Sequence, residues 1–159
     1  MPVKNQLTII LLLILCVGCA KVENEDKSEI NKIGANIKEP PNLMIVIGEQ
    51  TIRAAKGTYS WRYYEEGFDE VTQVDADTAP PPELVDIENA TTVHSDAEVS
   101  LLFDYEPNDY TVRVWNSEKA IASYKKVELT DYEGIVIYEI EANWEQGTAS
   151  YAFTVDIEE

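Results

Sequence analysis

Along most of this 159-residue chain apolar and polar positions alternate with a period of two, as expected of strands with one buried face. In TASYAFTVDIEE, Tyr151, Phe153, Val155 and Ile157 alternate with Ala152, Thr154, Asp156 and Glu158. The preceding GIVIYEIEANW places Val136, Tyr138, Ile140, Ala142 and Trp144 on one face. Glu145, Gln146 and Gly147 supply a turn, so Gly134 to Ile157 is predicted to form a β-hairpin. The same alternation runs through EVSLLFDY (Val99, Leu101, Phe103), YTVRVWN (Tyr110, Val112, Val114) and TYSWRYY (Tyr59, Trp61, Tyr63). LMIVIG and TIRAAKG form a shorter pair divided by GEQ, and a modest strand pair is expected between Lys119 and Leu129. TAPPPELVDIENA is excluded from a central strand, because its three consecutive prolines cannot donate ladder hydrogen bonds. It reads as a rigid connection with one helical turn near Glu83 to Asp86.

About eight strands with turn signals every roughly 8–12 residues predict an all-β fold. The expectation is a two-layer, immunoglobulin-like sandwich of about 7–9 mostly antiparallel strands over residues 41–159, with a closed barrel as the alternative. Pairing of Cys and Trp in the true immunoglobulin manner is absent, so the likeness is architectural. No cysteine follows Cys19, so the core must hold the domain without disulfides.

The first residues follow another pattern. Lys4 precedes an apolar run from Leu7 to Val17, too short for the roughly 20 residues of a spanning helix. Small residues then lead to Cys19, and the chain turns polar at Lys21, which is the layout of a secretory signal. Cys16 and Cys19 do not read as a redox or metal pair, since no further cysteine completes a site. The stretch resembles the bacterial lipobox, with Cys16 where leucine is usual three places before the modified cysteine. The resemblance implies a signal peptide over residues 1–18 and a diacylglycerol thioether on Cys19, with two or more acyl chains (palmitate among them) holding the protein on the membrane. Residues 19–40 are rich in Glu, Lys, Asn and Asp, lack aromatics and end on Pro40, as a solvated tether would.

Charge changes the picture of possible partners. The chain carries 12 basic and 30 acidic residues, a net charge of −18. From Pro40 onward 7 are basic and 25 acidic, so the whole imbalance lies on the domain. Nucleic acid is excluded as a partner, because phosphate contacts need the opposite sign. Docking of the domain on anionic lipid is disfavoured for the same reason. A solvated acidic face accounts for the charge, and a cation or basic partner is the sharper reading.

Candidate chemistry is sparse. EEGFDEVTQVDADT holds the densest acid cluster, and Asp69, Glu70, Asp75 and Asp77 are its candidate oxygen ligands for Ca²⁺, the one cofactor the sequence suggests. The cluster lacks EF-hand spacing. DYEPNDY, with Asp104, Glu106, Asn108 and Asp109, is a second candidate that reads equally as a hairpin turn. Arg113 and Trp115 fall on the face opposite Val112 and Val114, and Tyr64 points away from Tyr63, so the three are candidate contacts for a sugar or wall polymer. Trp61 and Trp144 are expected in the core. His94, the only histidine, has Ser95 and Asp96 beside it, but sequence neighbours do not converge as a triad, and no catalytic residue is assigned.

GTYSW, PPPEL, VRVWN and the ending GIVIYEIEANWEQGTASYAF resemble a family of uncharacterised lipoproteins of Gram-positive bacteria with an all-β extracytoplasmic domain. The resemblance spans most of residues 40–159 and implies location and fold, with no activity and no site residues. The expected role is a non-enzymatic, lipid-anchored binding module on the extracytoplasmic face of the membrane, with a protein or cell-wall partner. Alternatives are an accessory or sensor subunit of a membrane protein, a Ca²⁺-dependent or wall-carbohydrate binder, a protease inhibitor using TAPPPELV, and a carbohydrate-directed enzyme.

Overall fold

A computed structural model describes residues 37–65 and 70–159. The expected signal peptide, most of the tether, Cys19 and Asp69 lie outside the described residues.

The alternating segments become ten strands: β1 (Leu43–Ile47), β2 (Gln50–Arg53), β3 (Ala55–Tyr64), β4 (Val71–Ala76), β5 (Thr91–His94), β6 (Val99–Phe103), β7 (Asp109–Trp115), β8 (Ala120–Tyr124), β9 (Gly134–Trp144) and β10 (Gly147–Glu158). One helical turn, α1 (Pro81–Leu84), and a 3₁₀ turn, Ile87–Asn89, lie between β4 and β5. The strands form two sheets: a small one ordered β2-β1-β6, and a large one ordered β4-β3-β10-β9-β7-β8. In the large sheet β5 runs parallel to the C-terminal half of β10, from Val155 opposite Thr91 to Glu158 opposite His94. All other ladders are antiparallel. The all-β sandwich read from the sequence is the observed architecture.

The inner faces are those the alternation predicts. Leu43, Ile45 and Ile47 of the small sheet and Trp61, Val112, Tyr138, Ile140, Tyr151, Phe153 and Val155 of the large one are all at most 1–2% exposed. Trp61 and Trp144 meet edge to face at 5.5 Å, and Phe103 reaches across from β6 to Trp144 and Tyr151. Both tryptophans therefore pack, as expected of large rings that dominate cores. The hairpin is in register throughout, from Trp144 opposite Gly147 to Gly134 opposite Ile157. Gly147 is required there, because a β-carbon would collide with the Ser60 carbonyl oxygen on β3.

Three details depart from the sequence reading. The pair expected between Lys119 and Leu129 is one strand, β8; residues 125–133 form no strand, yet Val127 and Leu129 are buried. Tyr138 holds that segment by donating to the Glu128 carbonyl at 2.6 Å. Next, β4 and β5 add strands where acids and a short polar run concealed them. Finally, residues 37–40, assigned to the tether, are fastened to the domain. Trp61 Nε1 donates to the Ile37 carbonyl at 2.8 Å, Lys56 Nζ to that of Pro40 at 2.6 Å, and Tyr151 OH to that of Pro41 at 2.7 Å. These bonds satisfy the polar tips of the buried Trp61 and Tyr151 and of the partly buried Lys56, which ties the two prolines to the domain.

Candidate functional site

The inner face of the large sheet is consumed by the core, so chemistry is left to its outer face. Across β7 and β9, Arg113 lies opposite Glu139 and Thr111 opposite Glu141. Arg113 Nη1 meets Glu141 Oε2 at 2.6 Å and Glu139 Oε2 at 3.4 Å. The same Glu139 oxygen accepts from Trp115 Nε1 at 2.8 Å. Burial alone would lower the Arg113 pKa, but the hydrogen bond and charge of Glu141, seconded by Glu139, outweigh it and hold the pKa above its ordinary value. Arg113 and Trp115 are thus brought together as the strand parity implies, and the indole is half-buried and oriented by a carboxylate.

Glu139 is only 7% exposed, unusual for an outer-face acid. Ile137, Ala152 and Thr154 on the same face are buried too, and the proline-rich connection meets this sheet. The turn α1 packs against β3, β9 and β10, with Leu84 Cδ1 beside Gly57. Pro81 and Pro82 occupy the start of this turn, where a missing N–H costs nothing.

Beside this cover lies a hollow of about 290 Å³. Asp75, Asp77, Ser60 and Thr58 line one side, and Thr148, Ser150, Glu139 and Glu141 the other. Asp75, in β4, sits opposite Ser60. Hydrogen bonds from Ser60 and Gln73 hold its carboxyl below the usual carboxylate range. Arg113 already engages Glu139 and Glu141, so Asp75 and Asp77, among the serine and threonine hydroxyls, are the carboxylates the hollow offers to accept hydrogen bonds from a further cation.

Other candidates separate. Glu70 precedes Val71, which pairs with Tyr64 at the far end of β4, roughly 13 Å along the strand from Asp75. Among the described residues no three His, Cys, Asp or Glu converge as a metal-holding group. Tyr64 is exposed at the end of β3, with β10 and β9 between its strand and the Trp115 strand, so the three proposed contacts do not form one site. Asp104 accepts from the backbone and side-chain amides of Asn42, and Asp109 pairs with Lys125, so both tie strands together. His94 is exposed at the end of β5. Also, β7 is not an edge, since β8 lies beyond it.

Sequence reasoning missed Glu139, Glu141 and the hydroxyls of Ser60, Thr148 and Ser150. Their one signal is position: Glu139 and Glu141 are two apart on the polar face of β9. No protein family, curated protein or solved structure matches this chain.

Proposed function

We propose that this chain is a lipid-anchored, extracytoplasmic binding domain, held at the membrane through Cys19, whose large sheet receives a cationic group on its outer face. The observation that carries the binding role is the hollow lined by Asp75, Asp77, Glu139 and Glu141 among serine and threonine hydroxyls, beside an indole oriented by Glu139. An amine or guanidinium of a protein partner, or an amino group of a wall polymer, suits that lining. Catalysis by a carboxylate pair fits it less well. Arg113 engages both Glu139 and Glu141, whereas a general acid must hold and release a proton. Anchoring rests on the short apolar run and on Cys19.

Cys19→Ala is expected to move the protein from the membrane to the soluble fraction and to abolish incorporation of labelled palmitate, with the melting of the domain unchanged. A Cys19→Ala protein still labelled and membrane-bound would sink the anchoring. For binding, wall fragments and partner cross-linking are compared between the native protein and one carrying Asp75→Asn with Glu141→Gln. Equal retention of every ligand by both proteins would remove the hollow from consideration. Melting with EDTA and then with Ca²⁺ separates a metal from an organic cation, since Ca²⁺ one hundredfold above its Kd would stabilise the fold by about 2.7 kcal/mol.

A further inference from the structure

The small sheet ends on β6, which pairs with β1 alone. Two backbone bonds set the phase of its free edge. The Asp104 N–H donates to the Asn42 carbonyl, and the Glu98 carbonyl accepts from Gly48, so even-numbered positions from 98 to 104 face β1. Alternation along a strand then turns the N–H and C=O groups of Val99, Leu101 and Phe103 towards the opposite edge. Among the described residues no backbone hydrogen bond reaches them there.

A groove of about 430 Å³ lies beside this strand, lined by residues 95–101, Tyr110 and residues 126–130. The partly buried Val99, Leu101 and Tyr110 contribute apolar surface to it, while Val127 and Leu129 are held in the core behind its wall. Neighbouring strands in a sheet lie about 4.8 Å apart, which is where an added strand would sit beside β6. Natural edge strands are usually blunted by lysine, proline or bulges. The five residues of β6, Val-Ser-Leu-Leu-Phe, include none of these and no charge.

Charge identifies the occupant. Asp96, Glu98 and Glu128 line the groove, and its one cation, Lys126, is paired with Glu128 at 3.1 Å. A second copy of this chain is disfavoured. Antiparallel pairing of two β6 strands about Leu101 would set Glu98 opposite Asp104, and like charges directly opposite destabilise a ladder. Two domains of −18 would also repel.

We propose that β6 captures an extended basic segment of a partner protein as a fourth strand of the small sheet, in which apolar residues beside Val99 and Leu101 alternate with lysine or arginine beside Glu98 and the acidic rim. This second surface is independent of the hollow on the large sheet.

The test uses the full-length protein in neutral detergent and a short fluorescent peptide alternating lysine with valine, followed by anisotropy. Leu101→Pro removes an edge-facing donor while sparing the β1 ladder, so binding is expected to weaken by about tenfold or more. Glu98→Lys is expected to weaken it similarly, and a glutamate–valine peptide to bind no better than background. Should Leu101→Pro fail to fold, Glu98→Lys decides the matter. Unchanged binding to both variants would overturn the proposal. Binding lost only on Glu141→Gln would overturn it in favour of the hollow, and dimerisation without peptide capture would do so in favour of a second copy.

Discussion

Phe153 and Tyr138 stack at 5.1 Å with their planes 14° apart in the middle of the sandwich, and Tyr151 lies beside them at 1% exposure. A carboxylate at 151 or 153 would meet no partner in that environment. Phe153→Asp and Tyr151→Asp are each expected to cost about 4 kcal/mol or more and to leave the domain unfolded. Urea denaturation followed by tryptophan fluorescence checks this, and native-like midpoints for both would invalidate the face assignment. On the outer face the decisive residue is Arg113. Arg113→Met leaves the buried Glu139 carboxylate with only the Trp115 indole as donor, at an expected loss of about 1–3 kcal/mol. Glu139→Gln, which keeps an acceptor for the indole, is expected to lose less. The inward residues of β10 were legible because parity on a long strand states which face is apolar. Glu139 was not, since the Arg113 and Trp115 side chains that engage it come from a strand whose pairing with β9 the alternation does not specify.

At the scale of elements, the hairpin β9–β10 was legible almost to the residue, because two long alternating runs flank a short turn containing glycine. The proline-rich connection was legible only in what it excluded. That it folds back over the outer face of the large sheet, and so shelters Ala152 and Thr154, follows from β5 having to reach the C-terminal half of β10. Leu84→Ser should therefore weaken this cover at a cost of about 1 kcal/mol, as expected for a half-buried leucine. Hydrogen exchange should quicken on β5 and the C-terminal half of β10 while β1 stays protected; exchange unchanged everywhere would mean that the cover contributes nothing. β4 escaped notice because its alternation is shallow, each position being exposed or half-buried. An edge strand packed this loosely leaves little hydrophobic trace.

For the whole molecule, ionisation sets the limits of stability. Asp75, Asp86, Asp104 and Asp109 have folded pKa values lowered chiefly by hydrogen bonds from their neighbours. Their contribution is complete above the unfolded value near 3.9 and is lost as pH falls through the lower folded values. Tyrosines act at the other limit. Burial pushes Tyr105 up to about 12, and burial with the Tyr124 hydrogen bond does the same to Tyr132; burial raises Tyr138 and Tyr151 further. For a group that is neutral when protonated, a raised folded pKa means full stability below the unfolded value of about 10 and a decline as pH rises beyond it. Stability is therefore expected to be flat across neutral pH and to fall below about 4 and above about 10. Tyr138→Phe and Tyr151→Phe should flatten the alkaline limb, read by unfolding against pH together with tyrosinate absorbance. An alkaline limb equally steep in both variants would show that other groups control it.

Strand parity, the excluded proline segment, the placement of the charge and the all-β class were all legible in the chain. Each is a local property, set by side-chain alternation or by a backbone donor that proline lacks. Long-range juxtaposition was decided by the packed sheets alone. Folding sets Glu139 beneath Arg113 and Trp115, aligns Asp75 and Asp77 across from Glu141, and leaves β6 with one unpaired edge. Such pairings depend on which strands become neighbours, and the apolar alternation is nearly the same in all of them. Strand order is settled by the fit of the two inner faces, a collective property of Trp61, Phe103, Trp144 and Tyr151 meeting in one core.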